Sequence, residues 1–504
     1  MRLSSAFTSL LVLFGATFVL AGGKGHGTPE LTEVTRVTLD GVTYINKGIV
    51  AFGQIPSDFR ESTGDTLGGI GSAIALKPRS WKVEKNGRFI GTLYVHPDRG
   101  FNVDSTINYQ ARHHEIDFVL TPYYGSENLN FTIAQKTLAL RYKSTVLEFD
   151  VNRKPTSGLD PREVRFPSRF SDRSFPGPLP IVSKVDDRLV LDVEGLIANE
   201  DGSFWISDEY GPGIYRFSKK GTLLQSIPLP DALLPRDAAG NLNFTSVVDP
   251  AAGRTPNQGF EGLTIDPTTG ILYAMLQSAA IQDGGTDKST SRYSRLFAFN
   301  PKGPEPRLVG EWVVPLPLSS KNNTEACSEI HFVRPGVFFA LSRDGDGRGG
   351  DDNNSKYKNA DLFSIRGATN IHGTKFDNHL NPIAVNGVLD PSIKPAEYVQ
   401  FISYVNDSQL ARFGLHNGSP DDPTLLSAKW ESFALAPVGD PKSPDDYFLF
   451  TAADNDFLST HGVSLGQPFD AGLDNDNQFL VFRVTLPGSP IRKKFNTGWF
   501  GSWW

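Results

Sequence analysis

A short sequence unit that recurs at least four times is the strongest constraint on how this chain folds. Each copy begins with a glutamate beside an apolar run, at Glu194, Glu261, Glu329 and Glu431. A second apolar run follows in each copy and ends in a polar or acidic residue, such as Asp208 after the first. Because a repeat of this length cannot bury its apolar face alone, the repetition predicts a fold built from similar units packed side by side.

The fold class expected from these units is an all-β propeller. In the first two Glu-headed units, two further short apolar segments follow after tight turns, which gives four strands per unit. Four-stranded units that repeat radially form a β-propeller. Five units are recognisable, and the wide spacings before Glu194 and after Glu329 can each contain a degenerate unit or an insertion. We therefore expect about six blades, within a range of five to seven.

The last unit predicts how the ring closes. Its final strand, at residues 478–484, leaves little chain for an outer strand before Pro487. Residues 35–45 alternate about an Asp-Gly turn, which is typical of a hairpin. We expect this N-terminal segment to complete the last blade, so that residues 35–490 form one propeller domain.

Both termini lie outside that domain. Residues 1–21 have the charge, apolar core and small final residues of a secretory signal peptide, residues 22–34 are expected to be disordered, and no transmembrane anchor is expected. The aromatic tail, residues 491–504, either docks on the body or contacts a membrane or partner. A secreted, extracellular glycoprotein is expected, with acceptor sequons at Asn130, Asn243, Asn322, Asn353, Asn406 and Asn417.

Charge and cysteine content exclude other classes. The net charge of −7 argues against a nucleic-acid partner, because phosphate backbones require a concentrated basic face. Cys327 is the only cysteine, so the chain has no internal disulfide. A buried inert thiol is the expected state of Cys327, since position 333 is Val where a phosphatase Cys-x5-Arg motif requires Arg.

The repeated glutamates suggest a metal site. If each heads the innermost strand of its blade, four carboxylates meet at one mouth of the central channel, and like charges so close require protons, basic partners or cations. Calcium accepts about six to eight oxygen ligands and suits such a ring. Loops after the second strands add Asp208, Glu209, Asp344 and Asp454. In the alternative interpretation, each glutamate caps its blade by accepting backbone N–H groups from a neighbour.

Other motifs are weaker. The loop that starts at Asp344 has the first acids and the sixth-position Gly349 of an EF-hand, but Arg348 and Ser355 occupy its fifth and twelfth positions, so it is not one. Either a different calcium turn or an ordinary acidic loop fits it. The basic groups best placed to meet an anionic substrate are Arg343, His331 and Arg216, and for each a salt bridge to a nearby carboxylate is the alternative.

The Glu-Gly-Leu segments and the run Trp205 to Gly211 carry a family resemblance. With Asp192 to Leu196 and Gly259 to Leu263, they make the chain similar to the phytase-like family, the "esterase-like activity of phytase" group, over residues 65–485. The resemblance implies a propeller hydrolase of phosphoric esters. The Arg-His-Gly motif of histidine acid phosphatases is absent, so the implied mechanism is metal-assisted, with calcium as the expected ion. The candidate catalytic residues are Glu194, Glu261, Asp208 and Glu209.

Two other functions remain open. Gluconolactonase-type propellers also head a blade with Glu-Gly and hold a channel metal, so a calcium-dependent lactonase or carboxylesterase is one alternative. A non-catalytic secreted binding scaffold with a structural metal is the other. Lys and Arg do not cluster on the recurring loops, which favours these two alternatives. In the catalytic readings the partner is a small-molecule ester or phosphoester, and the oligomeric state stays open.

Overall fold

The computed structural model describes residues 32–101, 106–166, 174–303 and 305–492. Nearly all of its regular structure is strand. Numbered along the chain, the strands are β1 (Thr35–Leu39), β2 (Val42–Ile55), β3 (Ala73–Leu76), β4 (Lys82–Val83), β5 (Phe89–His96), β6 (Arg112–Leu120), β7 (Leu138–Leu147), β8 (Glu163–Arg165), β9 (Leu179–Ile181), β10 (Val193–Ala198), β11 (Phe204–Asp208), β12 (Ile214–Phe217), β13 (Leu223–Ile227), β14 (Phe260–Ile265), β15 (Leu272–Leu276), β16 (Tyr293–Asn300), β17 (Arg307–Pro315), β18 (Ala326–Arg334), β19 (Val337–Arg343), β20 (Lys358–Ser364), β21 (Ala384–Val385), β22 (Val388–Leu389), β23 (Glu397–Ser403), β24 (Lys429–Pro437), β25 (Asp446–Asp454), β26 (Gly462–Ser464), β27 (Gln467–Phe469) and β28 (Asn477–Thr485).

The helices among the described residues are short and lie in the connections between strands. Two are α-helical, α1 (Phe131–Ala134) and α2 (Asp407–Ala411), and three are single 3-10 turns at Gln135–Thr137, Ile281–Asp283 and Lys375–Asp377. Among the described residues, no helix is long and apolar enough to cross a membrane. The signal peptide predicted for residues 1–21, most of the predicted disordered segment 22–34, and residues 493–504 of the aromatic tail lie outside the described residues.

Five antiparallel sheets form the blades of a β-propeller. The first contains β3, β5, β6 and β7 with β4 beside β5, and the next two are β10 to β13 and β14 to β17. The fourth is β18-β19-β20-β23, and the fifth is β24-β25-β28-β2-β1. The innermost strands β3, β10, β14, β18 and β24 contact one another in a ring. The predicted propeller is thereby confirmed, and the described residues hold five large sheets, the lower end of the expected range.

The wide spacings, which raised the expected number of blades to six, arise from insertions. The described residues contain no sixth large sheet. Before Glu194 the chain forms the whole first blade and then the small β8-β9 hairpin. After Glu329, the β21-β22 hairpin is inserted before β23, which pairs with β20 as the outer strand of the fourth blade. The segment around residues 398–404 is therefore part of a blade already counted.

The N-terminal segment closes the ring as predicted. Strand β2 pairs with β28, with Ile45 opposite Thr485 and Ile55 opposite Asn477. Strand β1 then covers β2 on the outer edge. The closing segment is longer than residues 35–45, because β2 continues to Ile55. Both ends of the propeller domain therefore share one sheet.

Aromatic side chains fill the space between blades. Between the first and fifth blades, Trp81 stacks on Phe89 at a centroid distance of 5.2 Å, and Phe89 meets Phe448 edge-on at 4.8 Å. Each such pair adds roughly 0.5–1.5 kcal/mol beyond the area it buries. Most phenylalanines among the described residues are buried.

Sequon positions are accessible. Asn130 and Asn322 are exposed, and the other four asparagines are partly exposed. Asn130 and Asn406 also cap the N-termini of α1 and α2, where their side chains accept backbone N–H groups. Glycosylation at these sites stays a prediction.

Candidate metal centre

Three of the repeated glutamates occupy the same structural position, a β-bulge at the start of an inner strand. The pairing of β10 with β11 shifts at Glu194, that of β14 with β15 at Glu261, and that of β24 with β25 at Glu431. A bulge leaves one extra residue unpaired and redirects its side chain. The three carboxylates are close enough to act on one another electrostatically: Glu261 and Glu431 both raise the pKa of Glu194.

Glycine after the glutamate allows the inner strands to come close together. A Cβ at Gly195 would lie 2.6 Å from the Cβ of Leu263 and 2.3 Å from Ser207 Oγ. A Cβ at Gly262 would lie 2.7 Å from the backbone nitrogen of Ile330. All three distances are shorter than real Cβ contacts, so the Glu-Gly pair combines a redirected carboxylate with a close contact between neighbouring blades.

Glu329 differs from the expectation that all four glutamates meet. In β18 the bulge is at Ser328, one residue earlier, so Glu329 takes the position of Gly195 and Gly262. Its Oε1 accepts the backbone N–H of Leu263 at 2.9 Å and that of Ile330 at 2.7 Å. Glu329 therefore forms the clasp between blades that was the alternative interpretation for every glutamate.

Among the described residues, Asp192, Glu194 and Glu209 form an acidic group compact enough to hold a metal ion. One carboxylate oxygen from each lies within 4.8 Å of the others, and all three residues are buried. The backbone N–H of Glu209 donates to the carbonyl of Asp192 at 2.9 Å, which fixes the loop after β11 against the start of β10. Asp192 is a functional candidate that sequence reasoning missed, although it belongs to the recognised Asp-Val-Glu segment.

The donor set fits a divalent cation. Asp192 Oδ1 and Glu209 Oε1 are buried and have no hydrogen-bond partner among the described residues. An unsatisfied buried carboxylate oxygen is costly, and a cation is one way to satisfy it. All the ligand atoms are carboxylate oxygens, which calcium, magnesium and manganese prefer.

The pKa shifts of these carboxyl groups also indicate a cation site. Burial first, and neighbouring carboxylates second, raise the pKa of Glu194 and of Glu261 well above the usual range. Burial raises the pKa of Glu209 to about 8, and the nearby Asp192 adds to this effect. Glu209 therefore holds a proton near neutral pH unless a cation replaces it.

Basic side chains surround the acids. Arg99 Nε lies 3.1 Å from Asp192 Oδ2, and its guanidinium lies 4.3 Å from the ring centre of Tyr210. Arg343 forms an ion pair with Glu431. Lys429 Nζ lies 2.9 Å from an oxygen of Asp454 and 2.7 Å from one of Asp456. The fold thus gathers basic groups that do not cluster in the sequence.

Arg99 and its neighbour Asp98 come from the first blade, which lacks a heading glutamate. They follow β5, the second strand of its blade, as Glu209 follows β11. Burial raises the pKa of Asp98 well above its usual range, and Asp454 and Asp192 add to the shift. Alignment of the ends of the second strands could have identified both residues.

Asp208, Asp344 and Asp454 have local partners. Asp208 accepts the backbone N–H of Asp192 at 2.8 Å and that of Gly211 at 2.7 Å, which holds the turn beneath the acidic group. Asp344 accepts from Lys358 Nζ at 2.9 Å and from the backbone N–H groups of Lys356 and Tyr357. These contacts fit structural roles, while the catalytic role expected of Asp208 and the metal-ligand role expected of Asp344 stay predictions. Asp454 lies beside the site through Lys429.

Two of the three predicted substrate-binding residues lie away from the acids. Arg216 is paired with Asp201 at 2.9 Å on the surface. His331 Nδ1 lies 2.9 Å from the carbonyl of Phe332, further along β18. Arg343 alone is in the site. Cys327 is buried and its thiol donates to the carbonyl of Glu329 at 3.3 Å, while burial raises its pKa, as expected of an inert thiol.

The chain resembles one known family in particular. A family model described as "Phytase-like: Esterase-like activity of phytase" matches residues 66–401. An "Uncharacterized secreted protein" of Arthroderma benhamiae is 36% identical over 505 residues, which cover 92% of this chain and 97% of the relative.

Similarity to solved structures is weak. A PQQ-bound aldose sugar dehydrogenase of Streptomyces coelicolor is 13% identical, with 91% of this chain and 96% of the other covered and a TM-score of 0.27. A gluconolactonase of Xanthomonas campestris is 9% identical, with 92% and 98% covered and a TM-score of 0.26. Neither match supports a conclusion about chemistry.

Proposed function

The chain belongs to the phytase-like family, and we propose that it is a secreted propeller hydrolase that cleaves phosphoric esters with the help of a divalent cation, calcium in the first instance. The observation that supports this most is the buried group of Asp192, Glu194 and Glu209, with two carboxylate oxygens that lack hydrogen-bond partners among the described residues.

Each residue of the site has a proposed role. Asp192, Glu194 and Glu209 hold the cation, and Arg99 fixes Asp192 in place through its ion pair. A bound divalent cation attracts phosphate oxygens and lowers the pKa of an attacking water. Glu261, whose pKa is raised by burial and by Glu209, would be the base that accepts a proton from the attacking water, and that proton would pass to the leaving alkoxide as the P–O bond breaks.

Two basic side chains beside the acidic group, Arg343 and Lys429, suit an anionic substrate. Arg343 is partly exposed, and its Nε has no hydrogen-bond partner among the described residues. Lys429 is the more exposed cation, with 29% of its side chain accessible. They come from the fourth and fifth blades, and both lie close enough to Glu261 to lower its pKa electrostatically. We propose that they orient a phosphate group while Glu431 and Asp454 keep them in position.

Secretion is part of the proposal. The first 21 residues have the pattern of a signal peptide, six sequons lie on accessible positions, and the relative from Arthroderma benhamiae is named as secreted. We therefore propose that the mature protein works outside the cell as a glycoprotein.

The experiment measures inorganic phosphate released from phytate and from a simple phosphomonoester. We expect release that requires calcium, stops on chelation, and is lost in Glu194→Gln. The matched control is Glu329→Gln, which changes a repeated glutamate in the interblade clasp. Equal loss in both variants would contradict the proposed site.

Other outcomes select the alternatives. Hydrolysis of lactones or acetyl esters without phosphate release would replace the phosphoesterase with a lactonase or carboxylesterase at the same residues. If chelation lowers the melting temperature but no substrate is turned over, the metal is structural and the protein is a binding scaffold. The metal content of the purified protein bears on all three functions.

A further inference from the structure

A large apolar cavity lies on the propeller axis at the other end of the inner strands. Its volume is about 990 Å³, and all five inner strands line it. Its walls include Ile74, Leu196, Ile265, Phe332 and Leu435, joined by Ile491 from the segment that follows the last blade. Ligand pockets of roughly 300–1,000 Å³ with mostly apolar walls are typical of small-molecule sites.

The cavity is distinct from the acidic site. Its walls begin about two residues further along each inner strand, at Leu196 after Glu194, at Leu263 after Glu261 and at Phe433 after Glu431. None of Asp192, Glu194, Glu209, Glu261 and Glu431 is among its lining residues. Two other carboxylates do line the cavity: Glu329 accepts the backbone N–H groups of Leu263 and Ile330, and Glu200 is paired with Arg79. The acidic group and the mostly apolar cavity therefore lie at different levels of the same strands.

Positive charge is concentrated on one side of the cavity. The first blade contributes Lys77, Arg79 and Lys82 to its lining. Lys77 pairs with Glu115 at 2.6 Å and Arg79 with Glu200 at 2.9 Å. Lys82 is exposed and has no carboxylate within ion-pair distance among the described residues. A ligand that is complementary to the apolar lining and to this basic side of the cavity has an apolar body and one anionic end.

We propose that this cavity is a second binding site, which takes a long-chain carboxylate of the fatty-acid type. The chain lies along the apolar walls formed by the five inner strands, and the carboxylate meets Lys82 at the edge. The site is independent of the cation, because none of the acidic ligands faces it.

The test uses 11-(dansylamino)undecanoate, a fluorescent long-chain carboxylate, and its uncharged methyl ester, with the full-length protein in the presence of chelator. We expect saturable binding of the carboxylate. Lys82→Glu should weaken it by about three- to tenfold, as loss and reversal of a partly exposed charge contact implies. Binding of the methyl ester should change less than twofold.

Two variants complete the test. Lys85→Glu makes the same charge change on the same hairpin outside the lining and should leave both probes unaffected. Ile265→Trp fills part of the cavity and should weaken both probes, with near-UV circular dichroism to verify the fold. Equal weakening of carboxylate binding by Lys82→Glu and Lys85→Glu would overturn the assignment of Lys82.

Alternative occupants are separate outcomes. A chain that ends at Arg492 retains every strand of the five blades. If only this shortened chain binds the probe, the protein's own C-terminal segment occupies the cavity and the proposal is overturned. Binding to anionic phospholipid vesicles without binding of the free carboxylate would overturn it in favour of a membrane surface.

Discussion

The first residues of β14 and β18 are similar in sequence but have different structural roles. Glu261 and Glu329 each begin an apolar run in the repeated unit, and their strands are neighbours in the inner ring. In β14 the bulge residue is the glutamate itself, whereas in β18 it is Ser328, and Glu329 is the next residue. One residue of bulge placement thus separates a carboxylate of the acidic site from a backbone clasp.

Their surroundings differ accordingly. Glu261 is buried beside Glu209 and Glu431, and these like charges add to the effect of burial on its pKa. Glu329 is buried equally well, but two backbone N–H groups bind one of its oxygens and oppose the shift. A carboxylate that repels its neighbours indicates a functional site, and one satisfied by backbone indicates architecture.

The largest expected effect separates the two glutamates by activity. Glu261→Gln should reduce kcat/KM for calcium-dependent phosphate release by about 100-fold or more, since a general base commonly contributes about 10²- to 10⁴-fold. Glu329→Gln should stay within about threefold. Phosphate release per folded molecule is the measurement, and similar losses in both variants would remove the distinction.

The free energy of unfolding should depend more on Glu329 than on Glu261, the reverse of the order expected for activity. Glu329→Ala leaves the backbone N–H groups of Leu263 and Ile330 buried without an acceptor, at about 2–4 kcal/mol for the pair. Glu329→Gln keeps an amide oxygen and should cost less than about 1 kcal/mol. Urea midpoints measure both. If the alanine variant is as stable as the glutamine variant, Glu329 is not a clasp.

The pH dependence of stability tests the acidic side of the comparison. The folded-state pKa of Glu209 is about 8, above its ordinary value of 4.5, with Asp192 adding to the effect of burial and Arg99 and Arg254 opposing it. The folded state therefore binds more protons between these values, and metal-free stability falls as pH rises from 4.5 to 8. The slope is about 1.4 kcal/mol per pH unit for one such group.

Melting temperatures across this pH window measure the effect. Calcium should flatten the profile, because it compensates the ionised carboxylates in place of protons. A metal-free protein whose melting temperature rises through the same window would contradict the raised pKa. Glu209→Gln is the matched variant and should remove part of the slope.

The smallest expected effect is an increase in the stability of the metal-free protein. Glu261→Gln removes one carboxylate from a crowded buried group, so the metal-free protein should become more stable by about 1 kcal/mol. The melting temperature without metal is the measurement. A loss of similar size would mean that Glu261 is paired in the metal-free protein in the way that Glu329 is.

Much of the fold could be predicted from repetition and strand patterns. The radial four-stranded units, the closing N-terminal segment and the buried thiol of Cys327 all follow from local sequence. Blade number did not, because an insertion such as β21-β22 changes the spacing of the repeats without adding a blade. The position of a bulge is set by how two strands pair, so Glu329 could not be separated from Glu261 by sequence.

The site was predictable only in part, for a related reason. Glu194, Glu209 and Glu261 carry the repeated pattern and do lie together. Arg99 and Asp98 come from a blade without the heading glutamate, and the packing of the first blade against the second brings them beside Asp192. The spacing of the glutamates does not point to these two residues, and only their place after a second strand could have identified them.

Closure of the ring also has to wait until the end of the chain has been synthesised. The fifth blade needs β2, made near the beginning of synthesis, and β28, made near its end. Until Thr485 has been added, one edge of β2 has no strand partner, and the inner faces of the first and fifth blades stay uncovered. A chain that stops early therefore displays an open strand edge, which is a mark of incompleteness that cellular quality control can recognise.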